Sequence, residues 1–274
     1  MNKSIFLILI TLCSSLALFA PALAASHSSQ KPSAREVREL MASVCSSGVK
    51  TGTCAPCPAF IEGGAGDGFS LETVVYGKFT DAKKTDALLD FSGCEAHVHN
   101  FGGSVLLRWQ GLTKWKFVTY VPGYLTDQCL KFPARDGRDL LLCQADYFGM
   151  GTAISSLLLE DFLAKQTDTQ QLFSTYDTTN ACQTTGSIQT LLEWTQVRLN
   201  ADRYPDLQAK VKSAAYTRKE AKADDPCAPE ILSGASRTYT LEYTFDGGKF
   251  TPTQATRGVL KQLLRDNPYL MGGG

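Results

Sequence analysis

The sequence has no excess of charge of either sign and very little histidine. Its 274 residues include 27 Lys and Arg, 27 Asp and Glu, and 3 His. A nucleic-acid-binding protein needs a basic surface that releases counterions from phosphates, so this balance argues against that class. It argues equally against an acidic, solvating tail. With 43% hydrophobic residues, the chain has enough apolar mass for one large domain or two small ones.

Long apolar runs are also missing, except at the N-terminus. Residues 1–24 combine a basic start at Lys3, two apolar stretches and small residues at Ala22 and Ala24, which is the pattern of a cleaved signal peptide. We therefore expect an exported protein, periplasmic or extracellular, whose mature chain begins at Ala25 and contains no membrane span.

The cysteine content agrees with export. Cys13 would leave with the signal peptide, and eight cysteines would remain, an even number that suggests up to four disulfides in an oxidising compartment. The eight are Cys45, Cys54, Cys57, Cys94, Cys129, Cys143, Cys182 and Cys227.

One of these pairs follows from hairpin geometry. A turn at residues 135–137 would place Cys129 opposite Cys143 on two antiparallel strands, at a distance that a disulfide can span. Cys182 and Cys227 are the next candidate pair, since both lie in one C-terminal unit. The pairing of the four N-terminal cysteines stays open, because spacing alone does not decide it.

Three segments of the chain share one layout. Each contains a strand, an acidic turn, a strand, a loop, a strand, a tight turn and a strand, as judged from alternation and from β-branched and aromatic content. The units cover residues about 69–126, 127–182 and 183–253. Because repeated units of four antiparallel strands are typical of propeller blades, the sequence predicts a mainly β fold with three blade-like, four-stranded antiparallel units.

The turns of these units resemble a known repeat. Residues 199–207 (LNADRYPDL) resemble the acidic loop of FG-GAP/VCBS-type repeats, residues 77–88 keep the same frame, and residues 136–140 keep its end. Two Phe-Gly pairs, at Phe101 and Phe148, resemble the Phe-Gly element of that family. The resemblance extends over residues 69–251 and implies a propeller-type architecture.

The family's acidic loop often binds Ca²⁺, which the resemblance would assign here to Asn200, Asp202 and Asp206. However, Lys78 and Arg198 occupy the first acidic position in two units, and calcium requires six or more oxygen ligands. The alternative is that these side chains brace the turns by accepting hydrogen bonds from backbone amides.

Two amphipathic helices flank the strands. Residues 34–44 carry an apolar face behind a predicted N-cap at Ser33, and residues 255–265 carry another before Pro268. The predicted organisation is thus a signal peptide (1–24), an N-terminal helix with a cysteine-rich segment (25–68), and a β-repeat domain with a C-terminal helix (69–274).

A metal site is one candidate for chemistry. Cys54 and Cys57 form a C-x-x-C, and His97 and His99 would point the same way on a strand, so the four side chains could form a Cys₂His₂ zinc site. The alternative is that the cysteines form structural disulfides, as exported cysteines usually do, and that the histidines lie on a loop or an edge.

A sugar-acting enzyme is another candidate. Trp109 and Trp115 flank a turn and could form either an aromatic platform for a sugar or a packed cross-strand pair. The acidic pairs Glu160-Asp161 and Asp224-Asp225 could suggest glycoside hydrolysis, but adjacent residues on a strand point to opposite faces.

No G-x-S-x-G, P-loop or H-E-x-x-H motif is present. We therefore expect an exported, disulfide-stabilised β-repeat binding or scaffold protein of the cell envelope, without a catalytic site or cofactor of its own. Its partner would be a protein or a glycan, and calcium and zinc remain as the alternatives given above.

Overall fold

The described part of the chain is mainly β, as the sequence predicts, and it contains two antiparallel sheets and two α-helices. The computed structural model describes residues 28–45, 49–50, 52–54, 56–61, 68–94, 102–112, 114–163, 168–181, 185–218, 231–233 and 235–265. The predicted signal peptide lies outside these ranges. Within them, no helix has the length and apolar character needed to cross a membrane.

The first sheet has six strands that follow one another in sequence order. The strands are β1 (Val49–Lys50), β2 (Thr53–Cys54), β3 (Phe69–Gly77), β4 (Asp86–Ser92), β5 (Gly103–Trp109) and β6 (Trp115–Pro122). Residues 86–91 of β4 are all buried, because β4 lies inside the sheet and both of its faces are covered.

The second sheet has nine strands and curves into a half-barrel. The strands are β7 (Tyr124–Pro133), β8 (Asp139–Gly149), β9 (Thr152–Asp161), β10 (Asp168–Asp177), β11 (Thr185–Val197), β12 (Asp206–Arg218), β13 (Ile231–Ser233), β14 (Arg237–Phe245) and β15 (Phe250–Pro252). The curvature brings β15 back to β10, where the side-chain amide of Gln170 exchanges two hydrogen bonds with the backbone of Phe250.

The described strands are arranged in two sheets and not in three separate four-stranded blades. The first predicted unit supplies β3–β6, whereas the strands of the second and third units belong to one sheet. Within that sheet, β10 and β11 are joined by a single residue pair, Asp177 with Ile188. Consecutive strands therefore pair in the predicted order, but the second and third units share a half-barrel.

Apolar side chains form three layers. The first lies between the outer face of the first sheet and the N-terminal segment, the second lies between the two sheets, and the third fills the concave side of the half-barrel. In the middle layer, Leu88 and Leu106 of the first sheet meet Leu141 and the sulfurs of Cys129 and Cys143.

Both predicted helices are present. The first, α1 (Ala34–Met41), begins at a capping box made by Ser33 and Glu36 and ends before the predicted residue 44. The second, α2 (Gln254–Arg265), packs against β14. There, the buried hydroxyl of Thr256 accepts a hydrogen bond from the amide of Glu242 and donates one to the carbonyl of Glu242. The backbone of Glu242 thus finds both partners on the helix.

Candidate functional site

Asp206 braces the turn that the sequence relates to calcium-binding loops. It is fully buried as the first residue of β12. Its Oδ2 accepts a hydrogen bond from the amide of Leu199 at 2.8 Å, and its Oδ1 accepts one from the amide of Phe245 at 2.9 Å. Both carboxylate oxygens are therefore used to connect the turn to β14.

Two further side-chain oxygens of this turn also accept hydrogen bonds. The amide of Asp202 donates to Asn200 Oδ1, and the amide of Tyr204 donates to Asp202 Oδ1. The guanidinium of Arg198 donates to the carbonyls of Asp202 and Tyr204. Across the described ranges, no three His, Cys, Asp or Glu side chains are grouped as a metal site. These hydrogen bonds are the ones that the bracing alternative predicts, and the calcium assignment stays a prediction.

The cysteines of the C-x-x-C motif belong to two different disulfides. Cys54 is bonded to Cys45, and Cys57 is bonded to Cys94. A zinc ligand must be a thiolate, so these two sulfurs cannot take part in the predicted zinc site while they are oxidised. His97 and His99 lie outside the described residues.

The predicted hairpin disulfide is confirmed. Cys129 and Cys143 are directly opposite on β7 and β8, with 4.3 Å between their Cα atoms, and they form a disulfide. The turn at residues 135–137 connects these strands as predicted. Cys182 and Cys227 lie outside the described residues, so their pairing stays a prediction.

The tryptophans proposed for a sugar platform pack against each other, and two of the acidic candidates have protein partners. Trp109 and Trp115 pair across β5 and β6 with their ring centres 5.0 Å apart, in the edge-to-face packing that aromatic pairs prefer. Glu160 is buried and accepts hydrogen bonds from Thr169, while Asp161 binds Arg138. Asp224 and Asp225 lie outside the described residues.

Arg138 connects the two sheets through a network that the sequence does not reveal. Its side chain is only 7% exposed, and it donates to the carbonyl of Phe79 and to the carboxylates of Asp136 and Asp161. Partial burial raises the pKa of Asp136, but the hydrogen bonds and the positive charge of Arg138 together lower it by more. The pKa of Asp136 therefore lies below its usual value. Because Phe79 belongs to the β3–β4 loop and Asp161 to β9, the network joins the first sheet to the second.

An apolar cavity lies where the half-barrel opens between β10 and β11. Its volume is about 200 Å³. Its walls are Gln171, Leu172, Phe173, Ser174 and Tyr176 of β10, Gln189 of β11, and Leu260, Leu263 and Leu264 of α2. Most of this surface is apolar, and none of the lining side chains carries a charge at neutral pH.

The opening has an identifiable origin in the strands. Beyond the pair Asp177–Ile188, β10 and β11 have no further register pairs in the described part of the sheet. A bulge at Leu172 interrupts the pairing of β10 with β9, and one at Leu192 interrupts that of β11 with β12. Tyr243 donates a hydrogen bond to the carbonyl of Leu172 from across the concave side, and burial raises the pKa of this tyrosine.

The lining of the cavity includes residues from both faces of β10. Phe173 is buried in the concave core, whereas Ser174 and Tyr176, which alternate with the buried positions, are half-buried on the other face. On the concave side, the buried side chain of Gln189 donates a hydrogen bond to the carbonyl of Leu263 at 3.0 Å. This bond ties the end of α2 to β11 beside the opening.

A larger groove beside α1, of about 500 Å³, is less informative. It is lined by residues such as Val37, Arg38 and Leu71, so its walls include a charged side chain. The cavity at β10 and β11 therefore provides the clearer candidate site.

Reasoning from the sequence did not find this site. Its lining residues belong to ordinary strand and helix patterns, and the opening between the strands carries no motif. The one signal is that Gln189 stands at a buried strand position, where an amide side chain needs a specific partner. A comparison with protein-family models, curated proteins and solved structures finds no match to the chain.

Proposed function

We propose that this chain is an exported, disulfide-stabilised binding protein that holds an apolar ligand in the cavity between β10, β11 and α2. The observation that carries the proposal is the break in the half-barrel, where apolar side chains line an opening with neutral polar groups at its rim. Three disulfides support an oxidising, exported location. The relation of the strand units to FG-GAP repeats stays a prediction.

The dimensions of the cavity favour a slender apolar group. A dry, engineered cavity of about 150 Å³ binds a benzene ring, whereas drug-sized ligands occupy pockets of about 300–1,000 Å³. At about 200 Å³, this cavity suits an alkyl chain or a single ring. Leu260, Leu263 and Leu264 would contact the ligand from one side, and Phe173 would contact it from the other.

Binding of linear alcohols tests the proposal. Isothermal titration calorimetry would compare 1-butanol, 1-hexanol and 1-octanol with the mature, oxidised protein. Each buried methylene contributes about 0.8 kcal/mol, so the affinity should rise about fourfold per methylene until the cavity is full. Burial of apolar surface should also give a negative heat-capacity change. A lack of binding by all three alcohols would refute the proposal.

Two leucines provide a matched pair of variants. Leu264 lines the cavity and is 47% exposed, while Leu192 is 51% exposed on β11 and does not line it. Leu264→Gln should weaken 1-octanol binding about fivefold, because roughly 1 kcal/mol of apolar contact is lost. Leu192→Gln should leave the affinity unchanged. Equal effects of the two substitutions would place the ligand elsewhere.

A further inference from the structure

We infer that the ligand of this cavity is a single-chain amphiphile with an anionic head, such as a medium-chain fatty-acid anion, whose carboxylate pairs with Lys261 while its alkyl chain enters the cavity. The inference rests on the proposed function, since it assigns the polar end of the same ligand. The juxtaposition that carries it is an apolar cavity with a cationic helix at its mouth.

The charge on α2 is of one sign. Its twelve residues include Arg257, Lys261 and Arg265 and no acidic residue. Arg257 donates a hydrogen bond to the carbonyl of Pro252, and Arg265 donates one to the carbonyl of Lys261. Within the described residues, the ammonium of Lys261 has neither a carboxylate nor a carbonyl partner.

Lys261 is also correctly placed. It is exposed and directly follows Leu260, and it precedes Leu264 by three residues, the separation at which helix side chains are neighbours. A flexible lysine stem can lie along apolar surface while its ammonium stays in water. The ammonium can therefore reach the rim of a cavity that Leu260 and Leu264 line.

The surroundings of the mouth favour an anion over a cation. The lining itself is neutral, and its polar members include the amides of Gln171 and Gln189. The carboxylate that follows Tyr176 along β10, Asp177, accepts a hydrogen bond from the amide of Thr179. The cation of Lys261 therefore faces no competing carboxylate among the cavity's own residues, and charge complementarity selects a negative head group.

Ligands that differ only in the head group test this assignment. The affinities of octanoate, 1-octanol and octylammonium would be measured by calorimetry at neutral pH, for the wild type and for Lys261→Gln. We expect octanoate to bind about threefold more tightly than 1-octanol, as for an exposed ion pair, and octylammonium to bind most weakly. Lys261→Gln should remove the advantage of octanoate and leave 1-octanol binding unchanged.

A second lysine serves as the control. Lys212 is exposed on β12 and does not line the cavity, so Lys212→Gln should preserve the preference for octanoate. If 1-octanol binds as tightly as octanoate, or if Lys261→Gln leaves their ratio unchanged, the assignment of an anionic head is wrong while the apolar site stands. If none of the three ligands binds, the apolar site itself is wrong, and this inference fails with it.

Discussion

Replacement of Asp206 by alanine would test whether its carboxylate is a structural brace. The side chain is completely buried, and its two oxygens accept the amides of Leu199 and Phe245 at 2.8 and 2.9 Å. Alanine would leave both amides without their acceptor. Since Phe245 is 1% exposed, water cannot easily replace the carboxylate there, whereas the half-buried Leu199 can recruit water more readily.

The expected loss of stability follows from these two amides. A buried donor without a partner costs about 1–3 kcal/mol. With about 2 kcal/mol for Phe245 and about 1 kcal/mol for Leu199, Asp206→Ala should lower the free energy of unfolding by about 3 kcal/mol. Asp202→Ala removes one hydrogen bond from the same turn at an exposed position, so its effect should be about 0.5 kcal/mol.

Urea unfolding of the oxidised protein would measure both variants and the effect of Ca²⁺. The midpoint of Asp206→Ala should fall well below that of Asp202→Ala with an unchanged slope. A ligand that binds the folded state raises the unfolding midpoint. If the turn is braced and does not bind Ca²⁺, millimolar Ca²⁺ should leave the wild-type midpoint unchanged. Similar midpoints for the two variants, or a clear stabilisation by Ca²⁺, would refute the bracing role.

Three further predictions concern stability. The double variant Cys129→Ala/Cys143→Ala should lose about 3 kcal/mol in urea unfolding, since the disulfide closes a loop with a sequence separation of 14 residues; a loss below about 1 kcal/mol would contradict this. Arg138→Met should lose about 2 kcal/mol, because it removes the donor to the carbonyl of Phe79 and to two carboxylates that water can partly solvate; unchanged thermal unfolding would show that the network is dispensable. Hydrogen bonds from Ser33 lower the pKa of Glu36. Its small stabilising contribution is therefore present above the unfolded-state pKa and lost as the pH falls through the folded-state value, so Glu36→Gln should reduce the difference in stability between about pH 7 and about pH 3. An identical pH profile for the variant would argue against this contribution.

Local features were predictable from the sequence because their causes are local. The cap of α1 at Ser33 depends on residues three positions apart, and the register that pairs Cys129 with Cys143 depends on one turn. The same holds for the cross-strand pair of Trp109 and Trp115. Each of these predictions required only the period of a strand or a helix and the geometry of a short connection.

The arrangement of the strands could not be predicted in the same way. Every unit has the same local pattern, and that pattern fits a propeller blade as well as a segment of a curved sheet. The difference depends on long-range contacts such as the amide of Gln170 with the backbone of Phe250, which are 80 residues apart. Arg138 illustrates the same limit, because its partner Phe79 lies in a loop that connects two strands of the other sheet.

The opening between β10 and β11 requires a further explanation, because two facing strand edges would ordinarily pair. Here α2 occupies the concave side at the opening, and the side chain of Gln189 bonds to the carbonyl of Leu263 at the position that follows the single pair of Asp177 and Ile188. The carbonyl of Leu172 likewise receives its hydrogen bond from Tyr243. These two bonds give partners to a buried side-chain amide and to one strand carbonyl at the opening, while the leucines of α2 keep its interior apolar. Contacts of this kind, together with a helix on the concave side, favour strands that stay apart in the folded protein, which is the condition that a binding cavity at this place requires.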